Sequence, residues 1–310
     1  MAGPTEPDYK ISEPANIHNE IDILNYVEDM KNNGRAENTY TARLRQLRQL
    51  ARISNLRQPE EVKAVIANLK LKKSTKHKIV NSYGNFLDFL KIDWKKPTYK
   101  PDETIPFIPT EREIDQLISS CGKRMITFVQ LLKETGMRSG EACLLLWTSI
   151  DTEHNTINII PEKGSNPRIV TVSKKLIDML LNMPHKADRI FYQHLHCYRT
   201  LFCNQRKRTA EKLKNPRLLQ ISFHTLRHWK GTMEYHNTKD VKHVQYILGH
   251  KHSDTTDIYI NLEQASFLQN NDQWITKVSH NLDEEAQLIE AGFELVRSVN
   301  ETTAIYKKRK

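Results

Sequence analysis

The sequence predicts a mainly α-helical chain with a small antiparallel β-sheet, arranged as an N-terminal helical domain and a second, α+β domain. Apolar residues recur at helical spacing through most of the 310 residues. A proline-rich stretch at 95–109 interrupts that spacing once. The period shortens to that of paired strands near 156–172. A chain of this length can bury two sizeable cores.

Residues 1–15 hold Pro, Glu and Gly and read as a flexible arm. Residues 16–97 read as the helical domain. Ile21, Ile23, Leu24, Tyr26 and Val27 open an amphipathic helix, and Gly34 follows its end. Thr39 or Thr41 is placed to cap a second helix carrying Leu44, Leu47 and Leu50. A third helix spans about Glu60–Leu69, with Pro59 in its first turn, and a fourth spans about 74–91. Residues 98–109 form the linker, since proline fixes φ and removes a backbone donor.

The second domain covers 110–265. Thr110 and Glu113 have capping-box spacing ahead of Ile114, Leu117 and Ile118. One helix covers about 123–135 and stops at Gly136; another covers about 139–147. Thr156–Ile160 and Arg168–Val172 are β-branched runs flanking Lys163-Gly164-Ser165-Asn166-Pro167, the pattern of a hairpin with a loose turn. Helices resume at Lys174 and continue to about 265. The tail, 266–310, suggests a helix near 283–291 and a hairpin of Phe293–Val299 with Ala304–Lys308.

The formal net charge is +10, with a pI near 9.3. Excess positive charge favours polyanions, chiefly nucleic acid. The basic residues cluster: Arg45, Arg48 and Arg52 share one face of the second helix, and Lys73 and Lys76 begin the fourth, so these five are the candidate DNA contacts. No apolar run approaches the roughly 20 residues of a membrane span. Met1–Pro14 lacks the apolar core of a secretion signal, so the chain reads as soluble, cytoplasmic and nucleoid-associated. Cys121, Cys143, Cys197 and Cys203 read as reduced thiols. His194, His196, Cys197 and Cys203 fit no common zinc spacing, and no metal or other cofactor is expected.

Four local features carry chemistry. Arg138 and Glu141 stand in Glu-Thr-Gly-Met-Arg-Ser-Gly-Glu, between a helix-ending glycine and the next helix. Lys163 sits at the hairpin tip, with Arg168 the other hairpin cation. His224 and Arg227 lie one helical turn apart in His-Thr-Leu-Arg-His. Leu248-Gly249-His250 is followed by Tyr259 in Thr-Thr-Asp-Ile-Tyr. Each alone is more often a packing or surface feature. Together they supply what phosphoryl transfer without metal requires. Two guanidiniums grip a phosphodiester, a phenol attacks phosphorus, and lysine and histidine move protons.

These motifs resemble the tyrosine recombinase, or lambda-integrase, family, with a layout closest to its Xer and archaeal integrase-like members. The matching boxes are T-G-x-R-x-x-E, a hairpin lysine, H-x-L-R-H, L-G-H and T-x-x-Y. About 25 residues separate Arg138 from Lys163, and 32 separate Arg227 from Tyr259. The likeness is firm over 110–265 and architectural over 17–94, where it implies a SAM-like helical DNA clamp. It implies that Arg138 and Arg227 hold the scissile phosphate, that Lys163 protonates the 5′-hydroxyl, and that His224 assists proton transfer at the nucleophile. His250 would hydrogen-bond the phosphate, Tyr259 would form a 3′-phosphotyrosyl bond, and Glu141 would orient the arginine region. His228 and Trp229 read as packing residues. The partners implied are double-stranded DNA, three further copies in a tetramer on DNA, and DNA-bending or accessory proteins. Trp229-Lys230 stands where the family often has small or aliphatic residues. The tail beyond Tyr259 is long and would suit exchange between protomers. The other readings are a type IB topoisomerase and a non-catalytic DNA-binding regulator.

Overall fold

The computed structural model describes residues 13–102, 104–162, 164–267, 274–298 and 303–309. The chain divides into two compact units, Met1–Thr104 and Ile105–Lys310, with the boundary inside the proline-rich stretch.

The first unit holds four helices: α1 (Glu13–Asn32), α2 (Glu37–Ala51), α3 (Pro59–Asn68) and α4 (Lys73–Leu90). Its core gathers Ile23, Tyr26 and Val27 of α1, Leu47 and Leu50 of α2, Val62 and Ile66 of α3, and Tyr83 and Phe86 of α4. The buried Tyr83 hydroxyl donates to the Leu56 carbonyl at 2.9 Å, so its polar end is satisfied. One sequence expectation differs here, the cap of α2, and one detail lay beyond the periodicity. Ile21 and Leu24 are each half exposed, because Ile23, Tyr26 and Val27 take the core-facing side of α1. Neither Thr39 nor Thr41 caps α2, which begins earlier, with Ala36 in the cap position and no side-chain cap.

The second unit opens with α5 (Glu111–Ser120), α6 (Lys123–Thr135) and α7 (Ser139–Leu144). Thr110 and Glu113 close the capping box at the start of α5. Strands β1 (Ile150–Asp151), β2 (Thr156–Ile159) and β3 (Arg168–Thr171) form an antiparallel sheet in that order, with Ile157 opposite Val170. Both of those residues are buried, so one face of the sheet lies on the core. The two-residue strand β1 was not anticipated; it is too short to show a period of its own.

Helices α8 (Lys174–Leu181), α9 (Leu195–Lys212), α10 (Phe223–Thr238), α11 (Val241–Leu248) and α12 (Ile258–Phe267) follow. At the centre of the core, Phe128 stacks on Tyr198 at 4.5 Å and meets Phe191 and Phe223 edge-on. Trp229 is also buried, with the Lys133 amine 5.4 Å from its ring centroid, and it packs in the core as expected.

The tail adds β4 (Trp274–Ser279), α13 (Leu282–Glu290), β5 (Glu294–Ser298) and β6 (Ala304–Arg309). These strands form a second antiparallel sheet, ordered β4-β6-β5. The helix and hairpin match the sequence expectation, whereas β4 does not. Residues 274–279 pair with β6 of their own chain. Among the described residues no helix is long and apolar enough to cross a membrane. Among them, too, no group of three or more His, Cys, Asp or Glu could hold a metal ion, and all four cysteines are free.

Truncating Phe128, which is fully buried among three aromatic rings, should cost about 3–5 kcal/mol. Urea unfolding of Phe128→Ala, followed in the second unit, checks this.

Candidate active site

The site is built around the carbonyl end of α11. That helix ends at Gly249, whose φ of +66° is left-handed. A Cβ there would lie 2.6 Å from Arg168 Nη1 and 2.9 Å from the Asn166 carbonyl, so the position admits only glycine. Two last-turn carbonyls accept from arginine side chains: Ile247 from Arg168 Nε at 2.8 Å and Leu248 from Arg227 Nη2 at 2.6 Å. A helix C-terminus lacks donors and carries partial negative charge, and guanidiniums supply both needs. Arg227 Nη1 also donates to the Gly136 carbonyl at 2.8 Å, tying the end of α6 to the same point.

Glu141 completes the frame. Its buried carboxylate accepts from Arg168 Nη2 at 2.8 Å and from the Arg138 backbone N–H at 2.8 Å. Burial would raise this carboxyl, but the hydrogen bond and charge of Arg168, helped by the Arg138 backbone and Arg227, outweigh it and hold it below its ordinary value. Arg138 sits at the N-cap of α7, partly exposed, and its Nη1 reaches Glu141 at 3.4 Å and the Ser165 hydroxyl of the hairpin loop. Arg168, the other hairpin cation, is fully buried against Glu141, which removes it as a mobile proton donor. Lys163 lies outside the described residues.

In front of this frame is a cavity of about 340 Å³. Arg138, Ser165, His224, Arg227, His228, His250, Lys251 and Tyr259 are among its walls. The Tyr259 ring is 2 % exposed and packs with Val244, Leu248 and Leu262, while its hydroxyl stands 3.4 Å from His228 Nδ1. Burial pushes this phenol up to about 12, against the opposing pull of Arg227 and Arg138. His250 is pushed down to about 3, first by burial and then by Arg227, Arg138 and Arg168. Its Nδ1 pairs with Thr256 Oγ1 at 2.9 Å; with the threonine as donor, Nε2 keeps its hydrogen for a ligand. His228 is pushed down to about 4 by burial, His224 and Arg227. His224 keeps an open edge yet is also lowered, by desolvation and then by Arg227 and Arg138. Arg227 itself is pushed down to about 10, chiefly by burial and then by Arg138.

One cavity therefore gathers Arg138, His224, Arg227, His250 and Tyr259, with Glu141 behind it. The sequence reading missed Ser165, Lys251 and the position of His228. The ring beside the Tyr259 hydroxyl is His228; His224 stands edge-to-face on His228, with ring centroids 4.6 Å apart. The second histidine of the H-x-L-R-H box was the only available signal. The five candidate DNA contacts lie in the first unit. Arg45, Arg48 and Arg52 share a groove of about 310 Å³. Arg48 pairs with Glu20, whereas Arg45 and Arg52 have no ion-pair partner among the described residues. Lys73 pairs with Asp102 at 2.8 Å, and Lys76 donates to the Ala67 carbonyl at 2.6 Å and lies over the Tyr99 ring.

Residues 109–266 match the model of the phage integrase family. The tyrosine recombinase XerA of Thermococcus kodakarensis is 25% identical over 200 residues, covering 58% of this chain and 68% of the relative. Among solved structures, a lambda integrase tetramer bound to a Holliday junction aligns with a TM-score of 0.62 at 13% identity, over 81% of this chain and 78% of that one. XerH site-specific recombinase bound to difH substrate aligns with a TM-score of 0.53 at 19% identity, over 87% and 99%. At these identities the structural likenesses speak to the fold.

A carboxyl held below its unfolded value stabilises the fold above that value, here 4.5, and the contribution is lost as pH falls through the folded one. Glu141→Gln leaves the buried Arg168 charge uncompensated and should cost about 3–5 kcal/mol at neutral pH. The gap to the parent should narrow in acid, as urea unfolding at both pH values would show.

Proposed function

The chain belongs to the phage integrase family and is a tyrosine site-specific recombinase, and on that premise we propose that the Arg138–Arg227–Tyr259 cavity is where it cuts and rejoins DNA. The observation that carries this reading is the convergence of two guanidiniums, four imidazoles and one phenol on a space suited to a phosphate group.

Arg138 and Arg227 grip the non-bridging oxygens of one phosphodiester. Each terminal nitrogen of Arg227 gives one hydrogen to a carbonyl and retains another. His250, neutral at physiological pH, donates to the same phosphate through Nε2. Tyr259 Oη attacks phosphorus, the 5′-oxygen leaves, and a 3′-phosphotyrosyl bond forms. Lys163 is the expected acid for the leaving oxygen. The bond energy stays in the protein–DNA link, so rejoining needs no ATP. Low local dielectric and fixed donors provide most of the stabilisation in phosphoryl transfer of this kind.

Arg45 and Arg52, exposed and with no ion-pair partner among the described residues, support DNA contact by α2. The like fold of the lambda integrase tetramer supports assembly of four copies on two duplexes. Relaxation of supercoils as a lone enzyme is not favoured, since the named relatives are recombinases.

Tyr259→Phe should retain DNA yet form no covalent adduct on a nicked suicide duplex; an adduct would rule out this nucleophile. Arg138→Ala should slow adduct formation by about 10²–10³-fold. A Cβ on Gly231 would fall 2.6 Å from Tyr259 Cε1. Gly231→Ala should therefore displace the ring and depress cleavage with DNA retention intact, measured by filter binding beside the adduct assay.

A further inference from the structure

We propose that His228 takes the phenolic proton when Tyr259 attacks, a step that rests on the reading of Tyr259 as nucleophile. His228 Nδ1 stands 3.4 Å from Tyr259 Oη and is the one hydrogen-bond partner of that hydroxyl among the described residues. The tyrosine is 2 % exposed, so its proton passes to a neighbouring side chain more readily than to bulk water. The neighbours narrow to one. Arginine carries no acceptor. The His250 ring lies parallel to that of Tyr259 at 6.3 Å, with its Nδ1 taken up by Thr256. His224 faces His228 edge-on.

The step balances as follows. The Oη–H bond breaks, Oη–P forms, and the proton goes to Nδ1, making His228 an imidazolium. The P–O5′ bond breaks, and the 5′-oxygen takes its proton from the acid assigned to Lys163. On rejoining, the 5′-hydroxyl gives its proton back to the amine assigned to Lys163 and attacks the phosphotyrosine, the P–Oη bond breaks, and His228 returns its proton to Oη.

The groups facing His228 make this base dependent on substrate. They are His224 and Arg227 on α10, Tyr259 on α12 and His250 after α11. Burial, His224 and Arg227 keep the ring a poor base. A phosphodiester between Arg138 and Arg227 offsets that positive field, so basicity rises when DNA is bound.

The test uses the full chain and a random-sequence duplex library carrying a nick, with adducts resolved on denaturing gels. Asparagine retains an acceptor near the Nδ1 position but cannot take the proton. His228→Asn should slow adduct formation by about 10²-fold near neutral pH, within the usual range for general bases. Its rate should climb as pH rises, while that of the parent stays level, and retention of the library should not change. His228→Ala should recover with added imidazole, which covers the case where asparagine disturbs the fold. Parent-like cleavage by His228→Asn, or a slow rate that neither rises with pH nor responds to imidazole in His228→Ala, would overturn the proposal. Adducts from Tyr259→Phe would remove the underlying reading and this step with it. An inactive Tyr259→Phe beside a fully active His228→Asn would overturn the base alone.

Discussion

The site depends on how the carbonyl end of α11 is closed. A helix of eight residues ends there in a crowded interior, and its last carbonyls need donors. Arg168 and Arg227 supply them from the sheet and from α10. Burying two guanidiniums is costly unless their hydrogens and charges are matched. Glu141 matches Arg168, and the carbonyls of Gly136 and Leu248 hold Arg227 in one orientation. The same contacts that close the helix thus fix the geometry of the proposed anion site.

The charge balance follows from that frame. Arg168 is paired with Glu141 behind the cavity. Arg138, Arg227 and Lys251 remain, and the pKa values of His228 and His250 lie well below neutrality, leaving both rings uncharged at physiological pH. The site therefore presents positive charge to a phosphate together with neutral rings that can donate or accept protons. Tyr259 is held as a core residue by Val244, Leu248 and Leu262, and its hydroxyl meets His228 at the cavity. Gly231 allows this, since α10 presents no side chain where the tyrosine ring lies.

Much of this was legible in the residues. Gly136 and the Thr110–Glu113 box marked helix boundaries because their conformations are local properties. Strand β4 was not legible, since its pairing with β6 is set by a partner some thirty residues away. Ile21 and Leu24 belong to the apolar run of α1 yet are half exposed, because periodicity gives a stripe but not which edge of it faces inward. In the site, Arg138, His224, Arg227, His250 and Tyr259 could be named from their boxes. The distinction between His224 and His228 could not. Both lie on one face of α10, and only the position of α12 determines which ring meets the phenol. Arg168 likewise looked mobile in a glycine-bearing hairpin, but Glu141, 27 positions away, fixes it.

The central claim is that one phenol, in this cavity, becomes joined to DNA. The most direct measurement is mass spectrometry of trapped protein–DNA adducts after nuclease and protease digestion. A nucleotide carried through its 3′-phosphate on the peptide containing Tyr259 is the predicted result. The same mass on another residue, such as Tyr235 or Tyr246 nearby on α10 and α11, would contradict it.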